Sequence, residues 1–317
     1  MPHSKRPIRL VSYNVRYFGH ALRGLASSTS SKRRIAEGLA ALDPLPDVIC
    51  LQEVETISMR STMAHRRKHD EETQLESFMA RFEDVFARNV LPFPYEALYF
   101  RAHTFGVASL PVYTTGLAML INVRRLRIDG HNAASPHAIT HHHVARFKDR
   151  KQSRICAHAR LVDEQGRAFH VFNTHLSLPT PFAKKFWLES AKMGHGSNQL
   201  SEAKTLSTFV RDRSAGEPFV MCGDFNTAPF SPVFRYLTED SGLECPQLRA
   251  GLLDPENPRA FPTAGFMHLR MHLDHFFHGA GIRWCDLDAC HRFGVKTGAF
   301  HGLSDHVPLI GRFQRTT

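Results

Sequence analysis

Short apolar runs recur from one end of the chain to the other: IRLVSYN (8–14), DVICLQE (47–53), GLAMLINV (116–123), SRICAHARLV (153–162), AFHVFNTHL (168–176), PFVMCGDFN (218–226), LDHFFH (273–278) and VPLIGRF (307–313). Each is bounded by polar, Gly or Pro residues, and such runs read as strands. Between them lie helical candidates over 32–42, 72–87, 197–211 and 231–237. The last is opened by Ser231 and Pro232, a pair suited to the N-cap and first helical positions. Strands and helices are therefore interleaved. Their order fits two packed sheets with helices outside better than a doubly wound parallel sheet.

No internal repeat or long linker interrupts the series, so the 317 residues are assigned to one domain, 1–317. With 42% apolar and 22% charged residues the chain supports a large core, which excludes a disordered or fibrous protein. The irregular stretches 23–33, 131–151, 179–196 and 239–270 read as loops, where binding residues concentrate on a rigid scaffold. Six cysteines are scattered without a CxxC pair, which argues against a zinc ribbon or a disulfide scaffold and for a reducing compartment. No secretory signal and no membrane-length apolar run is visible, so a soluble, cytoplasmic protein is expected.

The chemistry gathers at the polar tips of the apolar runs. Asn14 ends the first, Glu53 the second and His175 the fifth. Asp224 and Asn226 end PFVMCGDFN, Asp274 lies in LDHFF, and Asp305 with His306 precedes VPLIGRF. Adjacent strands in two packed sheets bring these side chains around one cleft. So many carboxylates repel one another unless a cation or internal hydrogen bonds offset them, and oxygen donors select Mg²⁺ or Mn²⁺. Such an ion characteristically binds a substrate phosphate, so phosphate-ester hydrolysis is the leading reaction class.

The segments SYNVRYF, DVICLQEVE, FNTHLS, CGDFNTAP, LDHFF and LSDHVPL stand in the order of the endonuclease/exonuclease/phosphatase superfamily, which the sequence resembles over nearly its whole length. The resemblance implies a four-layer α/β sandwich of two packed mixed β-sheets with helices on the outer faces, and a divalent-metal phosphoesterase. It implies that Asn14 and Glu53 hold the catalytic metal, with Asp305 a further or alternative ligand. Asp224 and Asn226 then flank the nucleophilic water and the phosphate, and Asp224 orients or deprotonates that water. His306 matches the histidine at the scissile phosphate, Asp274 the acid that orients it, and His175 the second histidine, which contacts phosphate or assists the leaving group.

Taken singly, several of these residues have plainer readings: Asn14 as a turn former, Asp224 as a turn former before Pro229, Asp305 as a cap. No role is assigned to His20, His65, His103, His158, His268 or His272. The His141 to His143 run has no matching partner motif.

The formal charge of 40 Lys and Arg against 30 Asp and Glu is +10, which favours anionic partners. Basic residues cluster at Arg66, Arg67 and Lys68 and at Arg146, Lys148, Arg150, Lys151 and Arg154. Each cluster is a solvated loop or a rim that steers a polyanion to the cleft. The stretch 179–196 mixes Phe182, Phe186 and Trp187 with Lys184, Lys185 and Lys192, and reads either as a packed insertion or as a cleft wall for bases or lipid. Tyr113 is a weaker candidate for a phosphate contact.

The expected partner is a phosphate-ester substrate, nucleic acid first and a phospholipid head group, as for a sphingomyelinase, as the alternative. LQEVE in place of LQET argues against the abasic-site repair branch. Met271 to His275 in place of a Trp-x-Asp-Arg motif argues against inositol polyphosphate phosphatases. A degenerate, nonenzymatic binding module is the third reading, and the chemically competent site positions argue against it.

Overall fold

The computed structural model describes residues 6–18, 29–58, 73–107, 110–140, 153–179, 193–257, 260–266, 268–287 and 291–316. In chain order the elements are β1 (Ile8–Asn14), α1 (Thr29–Ala40), β2 (Val48–Ser58), α2 (Gln74–Arg88), β3 (Tyr95–Val107), β4 (Leu110–Asn122), β5 (Leu126–His131), β6 (His137–Ala138), β7 (Ile155–Asp163) and β8 (Ala168–His175). There follow α3 (Ser197–Ser214), β9 (Phe219–Asp224), α4 (Pro232–Arg235), α5 (Pro246–Arg249), β10 (Ala264–Phe266), β11 (Leu269–Met271), β12 (Asp274–His278), β13 (Ile282–Asp286) and β14 (Leu309–Arg315).

Two mixed sheets carry the fold. The first runs β13-β14-β1-β2-β4-β3, and the second runs β12-β9-β8-β7-β5 with β6 paired to β7. Successive side chains of a strand point to opposite faces, and here both faces are covered, which is why the central strands read as unbroken apolar runs. Leu10, Cys50 and Met119 of the first sheet meet Ala157, Phe169 and Cys222 of the second in the middle layer. Their neighbours Val11, Leu51 and Leu120 face outward, under Ile35 and Leu39 of α1 and Phe78 and Phe82 of α2. On the far side Phe172, Met221 and Phe277 pack under Leu206 and Val210 of α3 and Phe234 of α4. The result is the four-layer α/β sandwich.

Helix α2 starts at Gln74, two residues into its predicted span, because Thr73 forms a capping box with Glu76. Residues 231–237 do not form one helix: α4 ends at Arg235 and a π-helical turn covers Tyr236–Asp240. Two stretches expected to be loops carry structure: β6 lies in 131–151, and α5, β10 and much of β11 lie in 239–270. Helix α1 begins at Thr29, inside the expected loop 23–33. Among the described residues no helix is long and apolar enough to cross a membrane.

Strand direction sets the site. β1 and β2 are parallel, as are β8 and β9, so their C-terminal ends fall on one edge of the sandwich. β12 runs antiparallel to β9 and β14 antiparallel to β1, so their N-terminal ends arrive at that same edge.

Candidate active site

Register places the acidic centre directly. Asp224, the last residue of β9, lies between His175 of β8 and Asp274 of β12. The close approach needs glycine just before it: Gly223 has φ 146°, and a Cβ there would sit 2.0 Å from the Thr174 carbonyl oxygen. Asn226, at φ 47°, turns the chain so that its backbone N–H donates to Asp224 Oδ1 at 2.9 Å. Asn14 Nδ2 donates to Asp224 Oδ2 at 3.0 Å across the two sheets and to Glu53 Oε1 at 3.3 Å.

Glu53 does not end a strand, contrary to the reading of DVICLQE. β2 continues to Ser58, and a register shift between Leu51 and Val54 puts Glu53 in a bulge with φ 53°. The bulge turns its side chain, 22% exposed, to the cleft mouth.

The two histidines are pushed in opposite directions. His306 Nδ1 donates to Asp274 Oδ2 at 2.8 Å, and its Nε2 lies 3.5 Å from Asp224 Oδ2. Burial works against the imidazolium, but the carboxylates of Asp274 and Asp224 outweigh it and hold His306 well above the usual histidine range. His175 is pushed well below that range by burial and then by the charges of Arg154 and His306. Arg154 Nη1 lies 2.9 Å from its Nδ1 and Asn226 Nδ2 3.1 Å from its Nε2, and both neighbours are donors. His175 Nε2 also lies 3.5 Å from Asp224 Oδ2.

Carboxyl groups in this setting resist ionisation. Burial, offset by His306 and reinforced by Asp274, pushes Asp224 up to about 7. Burial and then the Asp305 charge raise Glu53, against Arg154, His306 and the Asn14 amide.

The structure thus brings Asn14, Glu53, His175, Asp224, Asn226, Asp274, Asp305 and His306 to one place. Asp305, as exposed as Glu53, has Oδ2 paired to Arg16 Nη1 at 2.5 Å and Oδ1 3.3 Å from the Ser304 hydroxyl. Arg66, Arg67, Lys68, His141 to His143, Arg146, Lys148, Arg150, Lys151, Phe182, Lys184, Lys185, Phe186, Trp187 and Lys192 lie outside the described residues, as does the side chain of Tyr113.

Sequence reasoning missed several supports. Ser304 donates to the Asn14 carbonyl at 2.7 Å and accepts from His306 N, tying the two chain ends together. Thr263 Oγ1 accepts from both Leu273 N and Asp274 N. Arg154 was visible only as one member of a basic cluster. Arg16 stands in SYNVRYF, but its arrival at the site depends on three successive residues of positive φ, Arg16, Tyr17 and Phe18 at 41°, 56° and 54°. Such left-handed residues cost on the order of 1 to 2 kcal/mol each. Phe18, fully buried and stacked on Phe78 at 4.8 Å, anchors the turn.

Asp224, Asp274 and His306 present ligand atoms within 4.8 Å of one another and could hold a metal ion. Among the described residues Asp274 Oδ1 is buried without a hydrogen-bond partner, a group that a cation could satisfy. The Glu53 carboxylate lies beside this acid centre, as does the Asn14 side chain, whose Nδ2 faces the acids and whose Oδ1 accepts from Arg16 N at 3.0 Å, and oxygen donors of this kind fit a hard divalent cation.

No curated protein matches the chain. Among solved structures it is similar to the human Nocturnin catalytic domain with bound sulfate, at 19% identity and TM-score 0.61 over 98% of this chain and 94% of that one. It is similar also to ANGEL2, a 2',3'-cyclic phosphatase in complex with adenosine-2',3'-vanadate, at 15% identity and TM-score 0.65 over 99% and 97%. A third is the mannosyl-6-phosphatase of Bacteroides thetaiotaomicron, at 16% identity and TM-score 0.56 over 97% and 99%. Residues 11–306 match the model of the Endonuclease/Exonuclease/phosphatase family, and with the fold and the acidic centre in agreement the chain belongs to that family of phosphoesterases.

Proposed function

We propose that this chain is a Mg²⁺- or Mn²⁺-dependent hydrolase of phosphate esters whose substrates are phosphodiesters, nucleic acid first among them. The observation that carries the reading is the convergence on Asp224 Oδ2: the Asn14 amide at 3.0 Å and the imidazoles of His175 and His306 each at 3.5 Å. A carboxylate so fixed, with its ionised form disfavoured by burial, is a base suited to take the proton of an attacking water.

Asn226 and the neutral His175 orient that water and the phosphate. His306, kept charged by Asp274, faces the charge that develops on the phosphate oxygens. Asn14 and Glu53 hold the divalent ion, with Asp305 beside them. When bound, the ion supplies a Lewis acid at a phosphate oxygen.

The net charge of +10 supports a polyanionic substrate. Adenosine-2',3'-vanadate in ANGEL2 supports a nucleotide-like group in a cleft of this fold. The mannosyl-6-phosphatase neighbour is the reason to assay monoesters beside diesters.

The test is a panel of plasmid, single-stranded DNA, RNA, 2',3'-cyclic nucleotides, sugar phosphates and sphingomyelin vesicles, assayed with Mg²⁺, Mn²⁺ or EDTA beside an Asp224→Ala control. Cleavage of nucleic acid that EDTA and Asp224→Ala both abolish is the expected result. Release of phosphocholine alone would transfer the enzyme to phospholipids. Inertness toward every ester would sink the proposal.

A further inference from the structure

The site sets four carboxylates, on Glu53, Asp224, Asp274 and Asp305, against cations from the chain itself. Among the described residues these include Arg154, beside His175, the His306 ring between two carboxylates, and Arg16. Arg16 differs from the other two in how it is delivered. Its backbone N–H donates to Asn14 Oδ1 at 3.0 Å, Phe18 N closes on the Val15 carbonyl at 2.8 Å, and three left-handed residues reverse the chain over the cleft. The strained turn has one visible product at the site, the 2.5 Å pair between Arg16 Nη1 and Asp305 Oδ2, with the two side chains 27% and 22% exposed.

Asp305 consequently has both oxygens engaged within the chain, one by Arg16 and one near Ser304. Glu53 is different. Among the described residues its close contacts include the Asn14 amide at 3.3 Å and His175 at 3.9 Å, and its side chain is 22% exposed.

We propose that Arg16 is the resident second cation of this site: it occupies Asp305, so the centre takes one divalent ion, at Glu53 and Asn14, rather than two. The inference rests on the metal-dependent reading above and gives it a stoichiometry. Arg16 acts as a positioning residue, through Asp305 and the charge of the cleft.

The test counts Mn²⁺ ions by the electron paramagnetic resonance of free Mn²⁺ and by titration calorimetry, with circular dichroism to verify the fold. Wild-type protein is expected to bind one Mn²⁺ per chain, and Arg16→Gln to gain a second. Arg16→Lys, which keeps the charge, is expected to stay at one. Asp305→Asn, which leaves the Arg16 turn intact and serves if Arg16→Gln does not fold, is expected to change the Mn²⁺ Kd less than about fivefold. Two ions on the wild type, one on Arg16→Gln, two on Arg16→Lys, or a larger loss of affinity in Asp305→Asn would each overturn the proposal. Wild-type protein that binds no Mn²⁺ would remove the metal-dependent reading itself, and this one with it.

Discussion

Gln52 Nε2 donates a 2.7 Å hydrogen bond to Asn173 Oδ1 across the gap between the two sheets. Both side chains are fully buried, one residue before Glu53 and two before His175. Asn173 in turn donates to the carbonyls of Leu51 and Ala118, so one amide joins β8 to β2 and β4 just beneath the cleft. A polar bridge inside an apolar layer is tolerated only when its members are paired, and pairing here fixes how the two halves of the site face each other.

Asn173→Leu should therefore remove the shortest bond of the Gln52 amide, which keeps only its longer contacts with the Ser12 hydroxyl and the Cys50 carbonyl, and take the side-chain donor away from two carbonyl groups in the core. The expected loss is about 3 kcal/mol in urea unfolding. A change below about 1 kcal/mol would show that the bridge contributes little to stability.

Asp224→Asn keeps the shape of the side chain and can still meet Asn226 N through its oxygen, but it cannot take a proton from water. Turnover should drop about a thousandfold with little change in KM, as expected for loss of a positioned base. Steady-state kinetics on the best substrate of the panel measures it. A fall of less than tenfold would move the role of base elsewhere.

Much of this arrangement was legible in the chain and some was not, for reasons visible in particular strands. β1, β2, β4, β7, β8, β9 and β14 lie inside their sheets or are covered on both faces, and their sequences are continuous apolar runs. β5 and β13 lie at sheet edges with alternating exposure, in LRIDGH and IRWCD, and β3 is also an edge strand. Half-exposed edges lack the apolar run on which the strand reading relied. The same limit applies at the site. Asn14, His175 and Asp224 end strands, so a polar tip on an apolar run finds them. Arg16 and Glu53 reach the cleft through positive-φ geometry, and Ser304 and Thr263 act through single hydroxyl bonds, features that residue type does not announce.

Asp274→Asn tests the dyad with His306 at a level other than activity. The Asp274 carboxylate is the largest influence holding the imidazole charged, at 2.8 Å from Nδ1. Its neutralisation should lower the His306 pKa, read from the carbon-bound ring proton by NMR, and reduce turnover about a hundredfold or more. An unshifted His306 resonance across the titration would contradict the assigned pairing.

Acid stability gives a prediction away from the cleft mouth. His272 is 1% exposed, with Nδ1 2.5 Å from the Phe261 carbonyl, and burial depresses its pKa to about 4. Above the ordinary histidine value near 6.5 the ring is neutral in folded and unfolded chains alike and the pKa difference contributes nothing. As the pH falls below about 6.5 the unfolded chain takes a proton that the folded one refuses, so stability is lost, by about 3 kcal/mol when pH 4 is reached. Asp224, raised to about 7, contributes with the opposite sign, so the whole protein does not isolate His272. A comparison with His272→Asn does, because the carboxyl groups are common to both. At pH 7 the variant should be the less stable, having lost packing and the bond to Phe261. Between pH 7 and pH 4 the gap should close by about 3 kcal/mol, measured by urea unfolding at each pH. A gap that stays constant with pH would mean that His272 accepts a proton in the folded chain as readily as in the unfolded one.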